Sequence, residues 1–148
     1  MSDFGYNIRD ARPEELDAIH QIELRSFPDP YPRGLLKAFF FIPGSIIVAE
    51  SKNRIVGYAI GVIREDHLGH IVSIAVAENE RRRGMGSALL KGIITKLSRM
   101  NAKKLVLEVR KSNYEAKSLY QKFGFEKKKE IRGYYQDGET AEVMELTL

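Results

Sequence analysis

The clearest chemistry in this sequence is carried by three arginines and two glycines in the turn Arg81–Ser87. The turn follows an apolar run, His70 to Val76, that predicts a strand, and it leads into a helical pattern. Glycines let the main chain approach a ligand closely. A helix N-terminus presents unpaired N–H groups and the positive end of the helix dipole. The turn therefore predicts a binding site for a phosphate-bearing cofactor.

The surroundings of this turn narrow the class of ligand. The spacing is neither G-x-G-x-x-G with a ribose-binding acid nor G-x-x-x-x-G-K-[ST], which disfavours a Rossmann dinucleotide site and hydrolysis of a nucleoside triphosphate. Segment 81–129 holds 15 lysines and arginines against 3 acidic residues, a charge of +12 within a chain of +4. A field of that sign favours a nucleotide, coenzyme A or a nucleic acid as ligand.

Composition excludes several other classes of protein. The 148 residues suit one domain, over 1–148, and 43% hydrophobic residues suffice for a packed core. Cysteine is absent, which excludes disulfides, thiolate metal sites and a cysteine nucleophile. The three histidines, His20, His67 and His70, lack metal-ligand spacing, so we expect no metal site. Because the sequence shows neither a signal peptide nor a membrane-spanning run, we expect a cytoplasmic location.

Hydrophobic periodicity predicts a mixed α/β domain in the order β-α-α-β-β-β-α-β-α-β-β. Strands are expected over 6–9, 45–50, 55–64, 68–76, 104–110, 125–132 and 140–148, and helices over 13–25, 35–42, 84–99 and 112–123. Gly92 lies inside the third helix, where glycine costs about 1 kcal/mol relative to alanine, so we expect close packing there. Gly124 is expected to end the fourth helix as a C′ glycine.

Several motifs along the chain together resemble a known family. The sequence at 81–86, R-x-x-G-x-G, matches the [QR]-x-x-G-x-[GA] acyl-coenzyme A signature of the GNAT acetyltransferase superfamily. It is followed by Leu107-Glu-Val-Arg-Lys-Ser-Asn113 and by Ala116-Lys-Ser-Leu-Tyr-Gln-Lys-Phe-Gly-Phe125. With the tail Gly133–Met144, these motifs resemble the RimI- and Ard1-like N-terminal acetyltransferases of the archaeal type. The likeness covers nearly the whole chain, and the joint set is specific where any single motif would not be.

The resemblance implies the GNAT fold, an α/β (α+β) arrangement with a mixed central sheet of about seven strands and about four helices. The sheet should splay between the strand ending near Val76 and the strand ending near Arg110, with acetyl-CoA as cofactor in the opening. The backbone of the first strand would pair with pantetheine, and the turn would hold the pyrophosphate. The residues so assigned to the cofactor are Ile74, Ala75, Val76, Arg81, Arg82, Arg83, Gly84, Met85, Gly86, Ser87, Asn113 and Tyr120.

Acetyl transfer to an amine needs a general base, a donor to the developing oxyanion and a proton for the leaving thiolate. The resemblance places Tyr120 beside the cofactor sulfur as the proton donor. Two candidates compete as the base. Glu108 matches the glutamate of RimI-type enzymes, whereas His70 and Asp29 match a histidine and a glutamate of Ard1-like enzymes, Asp29 being one methylene shorter. Because cysteine is absent, direct transfer in a ternary complex is favoured over an acyl-cysteine intermediate.

Two loops are expected to hold the acceptor. Pro28, Tyr31, Tyr134 and Tyr135 lie where loops clamp a peptide N-terminus in the resembling family, and aromatic side chains offer contact area with a polar tip. We therefore expect transfer to the N-terminal α-amine of proteins or peptides, including nascent chains at the ribosome. We expect neither a membrane partner nor a specific nucleic acid.

Three alternative functions stay open at this point. The same fold could acetylate a lysine side chain or a small amine such as a polyamine, although acidic clusters that attract polycations are scarce in the sequence. A nucleic-acid-binding module would use the +12 segment, but interleaved stacking aromatics are missing. A catalytically inactive relative would bind coenzyme A as a sensor, and the presence of Glu108, Asn113 and Tyr120 argues against it.

Overall fold

The computed structural model describes residues 5–81 and 84–148. Arg82 and Arg83, predicted to bind the cofactor, lie outside the described residues. The described chain forms strands β1 (Asn7–Asp10), β2 (Ile46–Ser51), β3 (Arg54–Arg64), β4 (Leu68–Val76), β5 (Lys104–Arg110), β6 (Glu126–Ile131) and β7 (Ala141–Thr147). Its α-helices are α1 (Leu16–Ser26), α2 (Arg33–Phe39), α3 (Met85–Arg99) and α4 (Tyr114–Lys122). The order of strands and helices along the chain is the predicted one.

Local turn chemistry sets the helix ends. Gly124 has φ +97°, the left-handed conformation expected of a C′ glycine. The bounds of α2 differ most from the prediction of 35–42, because the helix begins directly after Pro32 and ends at Phe39. Beyond the end of α2, residues 40–42 form a tighter turn with i→i−3 hydrogen bonds. Pro43 disfavours a helical conformation in its predecessor, which explains the early end.

The seven strands form one sheet in the order β1-β2-β3-β4-β5-β7-β6. Neighbouring strands are antiparallel except β4 and β5, which are parallel. These two strands pair only where Leu68–His70 faces Lys104–Val106, so beyond His70 their edges part. The predicted mixed sheet, its splay and the four helices are confirmed.

A β-bulge lies in β4 just beyond the point where the strands part. Ile60 pairs with Ser73 and Gly61 pairs with Ile71, so Val72 is an extra residue on β4. A bulge breaks the alternation of side chains and bends its strand. Val72 and Ser73 therefore both face α1, whereas Ile71 and Ile74 both face the α3 side.

Hydrophobic clusters cover both faces of the sheet. One cluster packs α3 and α4 against the sheet, and the other packs α1 and α2 against the opposite face. A Cβ built on Gly92 would lie 2.9 Å from Cδ1 of Ile47, so the predicted close packing at this glycine is confirmed. None of the helices in the described residues is long and apolar enough to cross a membrane.

Candidate active site

A cavity of about 440 Å³ lies where β4 and β5 part. It is lined from one face of the sheet by the α1–α2 loop (27–32) and the β6–β7 loop (132–140), and from the other face by α4. The predicted site residues in its lining are Asp29, Tyr31, Ile74, Glu108, Asn113, Tyr120, Tyr134 and Tyr135. The described ones outside the lining are Pro28, His70, Ala75, Val76, Arg81, Gly84, Met85, Gly86 and Ser87.

Glu108 is the carboxylate that β5 presents to this cavity. Side chains alternate along a strand, so Leu107 and Val109 are buried towards α3 and α4 while Glu108 and Arg110 project from the other face. The side chain of Glu108 is 22% exposed, which leaves it open to the cavity while the surrounding sheet holds it in place. A base placed there would meet an acceptor that approaches from the side of the two loops.

His70 contacts Glu108 without lining the cavity itself. Nδ1 of His70 lies 3.1 Å from Nη2 of Arg64, and an arginine nitrogen can only donate. The hydrogen-bond network therefore assigns the ring proton to Nε2, which donates to Oε1 of Glu108 at 2.8 Å. In this arrangement His70 orients the Glu108 carboxylate.

One face of α4 lines the opposite side of the cavity. Asn113 caps the helix, since its Oδ1 accepts the N–H of Ala116 at 3.1 Å. Its amide NH₂ is the group that can donate to a ligand. Tyr120 is 8% exposed, and its ring centroid lies 5.9 Å from that of Phe125. Burial raises the pKa of Tyr120 to about 12, so its hydroxyl keeps its proton at neutral pH.

The edge of β4 that faces the opening carries backbone N–H groups with no strand partner among the described residues. Ala77 N donates to Val56 O of β3 at 2.8 Å. Successive N–H groups of a strand point in opposite directions, so those of Ile74 and Val76 point away from β3 and into the opening. These groups can pair with an extended ligand or stabilise a developing oxyanion.

The turn predicted to bind phosphate lies at the end of this edge. Gly84 has φ +76°, a conformation that favours glycine, and it caps α3. The first hydrogen bond of α3 runs from Ala88 N to Gly84 O at 3.1 Å, so the N–H groups of residues 85–87 have no partner within the helix. Arg81 donates from Nε to Val76 O at 3.0 Å, which joins the turn to the end of β4.

Tyrosines from two loops close the side of the cavity that lies opposite α4. The rings of Tyr134 and Tyr135 meet edge-on with centroids 4.9 Å apart. Burial raises the pKa of Tyr31, Tyr134 and Tyr135 above the ordinary value for a phenol. Nearby carboxylates, including Glu108 and Asp29, add to each shift. The three hydroxyls therefore remain hydrogen-bond donors throughout the neutral range.

Arg110 is a residue of this site that the sequence analysis missed. Its guanidinium donates to Asp29 at 2.7 Å and to Asp137 and Glu139 at 2.9 Å each. Its Cζ lies 4.1 Å from the ring centroid of Tyr135. Asp29, a predicted candidate base, is thus held in an ion pair. The alternation of side chains along β5 could have placed Arg110 on the same face as Glu108. The partners of Arg110 could not be found in this way, because they are distant in sequence.

Glu23 is a second residue that the sequence analysis missed. It is 2% exposed and lines the cavity from α1. Oε1 accepts from the hydroxyls of Tyr58 and Ser73, and Oε2 accepts the N–H of Tyr31 at 3.0 Å. One signal was available, because Glu23 continues the apolar stripe of Leu16, Ile19 and Ile22 on α1.

A seven-stranded sheet thus opens between two parallel strands, and a helix N-terminus lies at the end of the opening. The acetyltransferase (GNAT) family model matches residues 16–125, and the chain belongs to this family. The expected family and enzyme class are confirmed.

Curated relatives and a solved structure extend this likeness over almost the whole chain. An uncharacterized N-acetyltransferase of Methanocaldococcus jannaschii is 39% identical over 139 residues, covering 93% of this chain and 88% of that protein. An N-alpha-acetyltransferase of Saccharolobus solfataricus is 34% identical over 160 aligned positions, covering 94% of this chain and 91% of that protein. The crystal structure of Ard1 from Thermoplasma volcanium superposes with a TM-score of 0.93 at 28% identity, covering 97% of this chain and 98% of that one.

Proposed function

We propose that this protein transfers an acetyl group from acetyl-CoA to the N-terminal α-amine of proteins or peptides, nascent chains among them, in the cytoplasm. The observation that carries the proposal is the placement of a carboxylate and a protonated phenol in the lining of one cavity. Glu108 lies on the side of the two loops, and Tyr120 lies on the side of α4. The relatives named for N-alpha-acetyl transfer support the choice of acceptor.

The residues on the α4 side fit coenzyme A. The N–H groups of Ile74 and Val76, which point into the opening, suit an amide-bearing arm, and the amide NH₂ of Asn113 is a further donor. The N–H groups at the start of α3, which have no partner within the helix, suit the pyrophosphate. When bound, acetyl-CoA supplies the acetyl group as an activated thioester. Arg81 would act by fixing the turn to Val76 through Nε.

The residues on the loop side fit an amine acceptor. The ammonium form must lose a proton before it can attack, and Glu108 is the carboxylate placed to accept that proton, directly or through water. His70 holds Glu108 through the 2.8 Å hydrogen bond from Nε2. The N–H groups of Ile74 and Val76 would stabilise the developing negative charge, and Tyr120 would hydrogen-bond the leaving sulfur.

An α-amine is a better acceptor for this site than a lysine. Ordinary pKa values are about 7.8 for an α-amine and about 10.4 for a lysine, so removing the proton from lysine at neutral pH takes about 3.5 kcal/mol more. Acids also outnumber arginine in the cavity lining, with Glu23, Asp29 and Glu108 against Arg110, and this balance favours cations in general. This gathering of acids, which the sequence did not reveal, keeps lysine and polyamines as the second candidate.

A peptide assay separates these acceptors. Each of two peptides carries one internal lysine, and they differ only in a free or a blocked N-terminus. Both are incubated with labelled acetyl-CoA, and the modified atom is located by mass spectrometry. We expect label on the α-amine of the free peptide and none on the blocked one. Equal labelling of the blocked peptide at lysine would refute the proposed acceptor, and spermidine serves as the third substrate in the series.

A further inference from the structure

We propose that Arg110 is a positioning residue that joins the α1–α2 loop to the β6–β7 loop and thereby forms the acceptor side of the cavity. The Arg110 cluster consists of Arg110, Asp29, Asp137 and Glu139. Asp29 lies in the first loop, and the other two carboxylates lie in the second. The kinetic part of this inference rests on the proposed function, and its structural part does not.

The two terminal nitrogens of the Arg110 guanidinium donate to carboxylates of different loops. Nη2 donates to Oδ1 of Asp29 at 2.7 Å, while Nη1 donates to Oδ2 of Asp137 and Oε1 of Glu139. The two nitrogens thus serve different loops. A lysine at this position would offer a single nitrogen and could not reproduce this division.

The ion pair between Arg110 and Asp29 is shielded enough for its hydrogen bond to hold its geometry, whereas Asp137 is half exposed. The Arg110 side chain is 13% exposed and that of Asp29 is 19% exposed. Burial disfavours the charged form of Arg110, yet the hydrogen bonds that it donates to its carboxylate partners outweigh that effect and raise its pKa. Hydrogen bonds from Ser112 and Arg110 lower the pKa of Glu139 to about 2, so Glu139 stays ionised at every working pH.

The same arginine also supports the aromatic wall of the cavity. Its Cζ lies 4.1 Å from the ring centroid of Tyr135, within the range of a cation–π contact. Tyr135 meets Tyr134 edge-on, and both rings line the cavity. Tyr31 is anchored from the other loop through its backbone to Glu23. Loss of Arg110 should therefore loosen both loops while leaving the α4 side unchanged.

Hydrogen–deuterium exchange tests the joining of the loops without reference to activity. Arg110→Met should speed exchange in both 27–32 and 132–140, and Asp29→Ala should speed it in 27–32 alone. The control is Lys104→Met. Lys104 lies on the same strand as Arg110 but outside the cavity lining, and its cation pairs with the carboxylate of Glu145. Exchange that changes in neither loop, or in only one, in Arg110→Met would overturn the inference.

Steady-state kinetics tests the consequence for the acceptor. Arg110→Met should raise the KM for the peptide at least tenfold, with kcat and the affinity for acetyl-CoA within about threefold of wild type. The peptide KM of Arg110→Lys should lie between those of wild type and Arg110→Met. Arg110→Lys replaces Arg110→Met in the assay if the methionine variant does not fold. An unchanged peptide KM, or an equal loss of acetyl-CoA affinity, would overturn the inference. If wild type acetylates no α-amine, the proposed function fails, and the exchange experiment still decides whether Arg110 joins the loops.

Discussion

Replacing Tyr120 with phenylalanine removes one hydroxyl from the cavity and little else. Tyr120 is 8% exposed, and among the described residues none hydrogen-bonds its hydroxyl. Phenylalanine keeps the ring against Phe125, so the free energy of unfolding near neutral pH should stay within about 0.5 kcal/mol of wild type. Any loss of activity in Tyr120→Phe can then be assigned to chemistry rather than to folding.

The pKa of Tyr120 sets the size of the effect. An ordinary thiol has a pKa of about 8.5, whereas that of Tyr120 is about 12. Complete transfer of the phenol proton to a thiolate would be uphill by about 5 kcal/mol. Tyr120 should therefore act mainly as a hydrogen-bond donor to the leaving sulfur, and such a bond to a charged group contributes about 1.5–3 kcal/mol. We expect kcat to fall by about 10- to 150-fold in Tyr120→Phe.

The assay follows release of free coenzyme A at saturating peptide and acetyl-CoA between pH 6 and 9. Tyr114→Phe is the matched control, because Tyr114 lies on the same helix, is 73% exposed and does not line the cavity. The profiles of wild type and Tyr120→Phe should run parallel, since a group with a pKa of about 12 does not titrate in this range. Unchanged kcat, or a basic limb below pH 9 that disappears in the variant, would refute this reasoning.

Three further predictions concern the base, the turn and stability at high pH. Glu108→Gln should lower kcat by about 10²- to 10⁴-fold with acetyl-CoA affinity intact by calorimetry; wild-type turnover would remove Glu108 as the base. Gly86→Glu should abolish acetyl-CoA binding while the fold survives, because a Cβ there meets nothing closer than 3.7 Å; wild-type affinity would refute the phosphate site. Burial raises the pKa of Tyr120 above that of an unfolded tyrosine, so its contribution to stability is complete below about pH 10 and declines as the pH rises towards 12. Denaturant unfolding should therefore show a smaller alkaline loss in Tyr120→Phe than in wild type, and equal losses would contradict the raised pKa.

Much of the fold follows from local sequence signals. The periodicity that predicted a helix over 84–99 is matched by α3 at Met85–Arg99, because its apolar stripe covers the sheet. Gly92 marked the close approach of α3 to Ile47. The bulge at Val72 was not predicted, because an apolar strand sequence does not show where the strand holds one residue more than its partner. That bulge turns Ser73 towards Glu23.

The site was predictable only in part, for a physical reason. Motifs that are continuous in sequence, such as the turn at 81–87 and the start of α4, could be found from spacing. The Arg110 cluster includes a carboxylate 81 positions away from Arg110, and its composition becomes visible only when β5 and two loops meet. Asp29 illustrates the difference, because the resemblance suggested it as a candidate base while the structure places it in an ion pair with Arg110.

The central claim is that acceptor and acetyl donor meet in one opening from opposite faces of the sheet. A crystal structure with a conjugate that joins coenzyme A to a peptide α-amine through an acetyl linker tests it most directly. We expect the linker between Glu108 and Tyr120, the pantetheine arm along the β4 edge at Ile74 to Val76, and the peptide between the α1–α2 and β6–β7 loops. A peptide bound on the α4 side, or a conjugate bound outside the opening, would contradict the account.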